Sequence, residues 1–151
     1  MLSSKTGQAL FTVDITKIGS VLKSGIEELP LEATGIDRKA TVRFVSRNQM
    51  LLQKAEAFLL RKSVKARDAY DAMDLMEKGA TLTGNLRSYL ADMLYGEFDS
   101  ERLHERINQV DTKRCRAELR DRLPEDVFKK LEQADFQPMR DTLLKLFDEW
   151  L

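Results

Sequence analysis

One cysteine, Cys115, and one histidine, His104, are all that 151 residues hold of either type. An internal disulfide and a thiolate metal cluster are therefore excluded. A metal site needs several convergent ligands, and His104 has no cysteine near it, so it reads as a surface residue on a helix. Three prolines and an aromatic content of 7% suit a helix-rich fold better than a β-sandwich. Charge of one sign is also missing: Lys and Arg number 25, as do Asp and Glu. A broad electrostatic grip on nucleic acid is unfavoured, and a local basic patch stays open. No apolar run reaches the length of a membrane span. The start, MLSSKTGQALF, carries one lysine and no long apolar core, unlike a secretory signal. The expected location is the cytoplasm, with no membrane partner.

What is present is charge, at 33% of residues, beside 42% hydrophobic residues, enough for one domain with a core. Residues Ala9 to Ile18 alternate, with Phe11, Val13 and Ile15 on one face, and predict a half-buried strand ended by Gly19 and Ser20. Residues 21–39 contain Gly25, Pro30 and Gly35 and read as irregular, with room for one short helical turn. Ala40 to Val45 is a second strand candidate.

From Ser46 the period becomes helical. Ser46 with Gln49 predicts an N-cap and capping box. Leu51, Leu52, Ala55, Phe58 and Leu59 form one stripe. A second helix is expected over about Ala66–Lys78, stopped by Gly79, and a third from Leu82 or Thr83 to Tyr95. Asp99 or Ser100 caps a fourth. A fifth starts near Thr112 and ends before Pro124, which fits the first position of the next helix. Met139, Leu143, Leu144, Phe147, Trp150 and Leu151 line the last one. The expected fold is mainly α: a bundle of five to seven helices over residues 46–151. A small β element with an irregular segment occupies residues 1–45. The whole is one structural domain. Such a β element is too small to stand alone and must pack on the bundle or pair with another chain.

The densest chemistry lies in KAEAFLLRKSVKARDAYD, residues 54–71. Lys54 and Arg61 are seven residues apart and share a helix face. Asp68 and Asp71 are three apart and share another. Two readings are open. The cations of Lys54, Arg61, Lys65 and Arg67 face nucleotide phosphates, with Asp68 orienting a cation or an attacking group. Alternatively, a solvated ion-pair network locks two helices. Elsewhere, arginines flank Cys115 and could lower its pKa, although an inert helix thiol is the simpler expectation. The basic run from Lys113 to Arg122 is broken by Glu118 and Asp121 and reads as a solvated face.

Lys54-x-x-Ala57, then Arg61, then Lys65-x-Arg67-Asp68-x-x-Asp71 resembles a motif of the abortive-infection nucleotidyltransferase toxins of the AbiEii type. Phe11-Thr12-Val13-Asp14-Ile15 is similar to that family's strand bearing a third metal-binding carboxylate. Val42-Arg43-Phe44-Val45-Ser46 resembles the strand leading into the lysine helix. The resemblance covers roughly residues 9 to 78. It implies transfer of a nucleotidyl group from an NTP to a hydroxyl or phosphate acceptor, such as RNA, with Mg²⁺ bound in part by Asp14. It also implies that Lys54 and Asp68 are catalytic, that Lys54, Arg61, Lys65 and Arg67 bind nucleotide, and that Asp71 is structural. Such enzymes carry a Gly-Ser turn followed by D-x-D or D-x-E, whose paired carboxylates complete the two-metal site. Here the one Gly-Ser, Gly19-Ser20, lies after Asp14, and no D-x-D follows at a suitable distance. The expectation is a C-terminal half: a truncated reading frame, a split subunit or a non-catalytic relative, inactive alone. Its partners would be an antitoxin, a complementary half or a second copy. The alternative is a helical interaction module without catalysis.

Overall fold

Ser46 opens the helical part as expected: its Oγ accepts from the Gln49 backbone N–H at 3.2 Å, and helix α1 runs Arg47–Leu60. The capping box forms in one direction only. Gln49 is buried and its Oε1 has no hydrogen bond. The computed structural model describes residues 2–3, 9–11, 26–31, 40–95 and 99–148. Among these, the helices after α1 are α2 (Ala66–Glu77), α3 (Asn85–Leu94), α4 (Ser100–Asn108), α5 (Thr112–Leu119), α6 (Glu125–Gln133) and α7 (Gln137–Leu146). The chain is mainly helical, as its sequence predicts.

Capping explains most boundaries. Asp99 accepts from the Arg102 N–H at 2.8 Å, and Asp111 from the Arg114 N–H at 2.7 Å, fixing the starts of α4 and α5. α3 begins later than expected, at Asn85, because Gly84 precedes it with φ +53°, a conformation glycine adopts without penalty. Pro124 is the cap of α6 rather than its first residue, since its carbonyl already accepts from the Phe128 N–H at 2.9 Å. α2 has lysine, a poor cap, at its cap position, and its first N–H bonds Glu118 of α5 instead.

The core is built on α2. Ala66, Ala69 and Ala72 are fully or almost fully buried there, small enough to let α1, α5 and α7 approach closely. Against them pack Leu51, Leu52, Ala55, Phe58 and Leu59 of α1 and Met139, Leu143 and Leu146 of α7. Phe58 and Phe147 stack with centroids 5.9 Å apart, tying the end of α1 to the end of α7. Met76, near the end of α2, is only partly buried. Trp150 and Leu151 lie outside the described residues.

The β element differs from its sequence reading. The backbone forms β1 (Leu2–Ser3), β2 (Ala9–Phe11), β3 (Ile26–Leu31) and β4 (Ala40–Val45). β1 pairs with β2, and β3 with β4, both antiparallel. β3 falls in the segment expected to be irregular. IEELPL lacks clean alternation and contains Pro30, but a strand with an open edge tolerates proline, and six residue pairs from Ile26↔Val45 to Leu31↔Ala40 supply its ladder. Asp14, Val13, Ile15, Gly19 and Ser20 lie outside the described residues.

Candidate functional site

α1 and α2 meet at a corner made of residues 61–65, and this junction collects the charged residues singled out in the sequence. Lys54 Nζ lies 2.6 Å from Asp71 Oδ2. Arg61 Nε lies 3.2 Å from Asp68 Oδ2. The pairing therefore runs across the two helices, and Asp68 faces Arg61 directly rather than orienting Lys54. The cations are half-exposed, Lys54 at 33% and Arg61 at 39%. Asp68 is 0% exposed. Asp68 is thus enclosed at the corner, with the Arg61 guanidinium as its ion-pair partner.

Asp68 is the unusual group. Both carboxylate oxygens are buried and neither accepts a hydrogen bond. Burial pushes its pKa above the ordinary value of 3.8, against the opposing pull of Arg61, Lys54 and Arg67. Its place follows from packing: Asp68 sits between Ala66 and Ala69, both fully buried, in the first turn of the helix that the core closes around. A carboxylate buried with one ion pair and no hydrogen bond carries a desolvation cost to folding.

The corner is also held from behind. Arg106 of α4 donates from Nε to the Phe58 carbonyl at 3.0 Å and from Nη2 to the Arg61 carbonyl at 2.9 Å. Its guanidinium also lies 5.8 Å from the Phe58 ring centre. Arg114 of α5 donates to the Val64 carbonyl. Glu118 accepts from the Ala66 N–H at 2.8 Å, supplying the cap that Lys65 cannot. Three residues from two later helices thus fix the last turn of α1, the turn itself and the first turn of α2. Sequence reasoning missed Arg106 and Glu118. No local pattern marks them, because their partners are backbone groups about fifty residues away.

Lys65 and Arg67 diverge from Lys54 and Arg61. With Ala117, Glu118 and Arg122 they line a separate cavity of about 270 Å³. Lys65 Nζ lies 3.7 Å from Glu118 Oε1. The basic run of α5 also disperses: Arg114 turns inward and Arg116 pairs with Glu132 at 2.7 Å. Cys115 is buried, and burial pushes its thiol up to about 12, so the flanking arginines do not activate it. His104 is exposed, its Nδ1 2.8 Å from the Ser100 carbonyl.

Among the described residues, no group of three or more His, Cys, Asp or Glu side chains could hold a metal ion. No helix among them is long and apolar enough to cross a membrane. No curated protein and no solved structure matches the chain. The family model described as nucleotidyl transferase AbiEii toxin, type IV toxin–antitoxin system, matches residues 4–151, nearly the whole sequence. The corner of paired lysine, arginine and aspartates thus sits inside a family match far longer than the motif, and the chain belongs to the AbiEii nucleotidyltransferase toxin family.

Proposed function

We propose that the α1–α2 corner is the nucleotide-contacting wall of a nucleotidyltransferase-like toxin of the phage-defence kind, and that this chain does not transfer nucleotides by itself. The observation that carries the reading is Asp68, which holds the half-exposed Arg61 from a buried position at a cost to stability. Lys54 and Arg61 meet the phosphates of an NTP, Lys54 as a point charge and Arg61 through its planar fork. Asp71 keeps Lys54 on the α2 side of the corner. Where a partner completes the site, an acceptor hydroxyl or phosphate oxygen, RNA among the candidates, bonds the α-phosphorus as the α–β anhydride bond breaks and pyrophosphate leaves.

Mg²⁺ is the cofactor this chemistry uses, and the described residues by themselves offer it no donor cluster. Asp14 would contribute one ligand, with the other carboxylates coming from elsewhere. An antitoxin is the expected protein partner, and the cytoplasm the expected compartment.

Ultraviolet crosslinking of labelled NTPs, followed by peptide mapping, tests the placement. Label is expected on peptides spanning residues 54–71, without pyrophosphate release by the chain alone. Label confined to α3–α7 peptides contradicts the placement, and pyrophosphate release contradicts the inactivity.

A further inference from the structure

We propose that Lys65, Arg67 and Arg122 form a second phosphate subsite, on the α2–α5 side, that takes a backbone phosphate of a single-stranded oligonucleotide acceptor. The inference rests on the nucleotidyltransferase-like reading above and separates the acceptor from the NTP.

The observation is an imbalance of charge. The cavity is lined by three cations and one carboxylate. That carboxylate, Glu118, is already engaged: Oε2 caps Ala66 at 2.8 Å and Oε1 lies 3.7 Å from Lys65. The Ala66 N–H is therefore already satisfied, and Lys65 is partly neutralised. Arg67 and Arg122 enter no ion pair within 4 Å among the described residues, and both side chains are exposed. They come from positions 55 residues apart and converge on one cavity. Elsewhere in this chain of zero net charge, arginines are typically spent on partners. Arg61 and Arg116 pair with carboxylates, and Arg106, Arg114 and Arg140 bond carbonyls.

A solvated pair of surface arginines is the ordinary explanation of such an arrangement. Convergence on a cavity whose acid is committed is what an anion fits, and a guanidinium pair suits a phosphate. Arg67 and Asp68 are consecutive in the first turn of α2, so the subsite and the corner share that turn.

Fluorescence anisotropy of a labelled single-stranded RNA oligonucleotide over a series of salt concentrations tests this on the full chain. Arg122→Gln is expected to weaken binding about fivefold and to reduce the slope of log K against log salt by about 0.7, the value of one phosphate contact on a single strand. Arg67→Gln with Arg122→Gln reduces it by about 1.4. Calorimetric Mg²⁺–NTP binding by Arg122→Gln stays at the wild-type value. Inorganic phosphate competes with RNA only weakly, since one phosphate lacks the neighbours of a chain.

Wild-type protein that binds no RNA, or variants with unchanged slope, overturn the subsite. Parallel loss of NTP and RNA binding in Arg122→Gln also overturns it, by assigning the cavity to the nucleotide. Intact RNA binding with no NTP binding in the wild type would instead sink the nucleotide reading and leave the phosphate site standing.

Discussion

Asp68→Asn is expected to leave the protein as stable as the wild type at neutral pH, or to stabilise it by on the order of 1 kcal/mol. A buried aspartate paired with an arginine is ordinarily expected to do the opposite. The sign follows from the direction of its pKa. Burial raises it in the folded state, and the attraction of Arg61, Lys54 and Arg67 does not fully offset that. Below pH 3.8 both folded and unfolded chains carry the protonated acid, and the group imposes no charge penalty. As pH rises past 3.8 the unfolded chain ionises first. Stability therefore falls until the folded-state pKa is passed, and then levels. Asparagine has nearly the same shape and no charge to desolvate. Arg61, at 39% exposed, can turn to water when its partner is neutral. Urea unfolding at pH 3.5 and pH 7 measures both effects. The wild type should lose more stability than Asp68→Asn between the two. A loss of 2 kcal/mol or more in Asp68→Asn at pH 7 would mark the pair as scaffold.

Arg106→Ala carries the largest expected loss, about 3 kcal/mol. The guanidinium bridges the Phe58 and Arg61 carbonyls and covers the Phe58 ring, so alanine leaves two acceptors without donors and removes apolar stem as well. For a chain of this size, melting should fall by roughly 6–12 °C. Arg106→Lys should recover part of that loss, because a single ammonium can reach one carbonyl but lacks the fork. A loss under about 0.5 kcal/mol in Arg106→Ala would show that the corner holds its shape without α4.

Local signals were legible where physics is local. Ser46, Asp99 and Asp111 announce helix starts because a short side-chain acceptor beside orphan N–H groups has one favourable arrangement. The apolar stripe of α1 is buried as its spacing predicts. β3 was hidden because its ladder depends on a partner strand beyond an eight-residue connection, and its own alternation is weak. At the site, spacing identified the charged residues but not their partners. Lys54 and Asp71 meet, and Arg61 and Asp68 meet, because α2 folds back along α1; spacing within either helix does not encode that. Lys65 and Arg67 read as members of one cation group, yet the turn directs them toward Glu118 and Arg122. Glu118 looked like an interruption of a basic run and proves to be the cap of α2.

The central claim is that the Lys54–Asp71 corner faces a ligand and is more than a clasp between helices. Calorimetric titration of Mg²⁺–NTP into the wild type and Lys54→Ala, with melting curves on both, addresses it most directly. The wild type should bind. Lys54→Ala should bind about tenfold more weakly or worse, from loss of one charge-assisted contact. Its melting temperature should hardly move, since a half-exposed pair contributes at most about 1 kcal/mol. No binding by the wild type at millimolar NTP, with or without Mg²⁺, or unfolding of Lys54→Ala, would contradict the account.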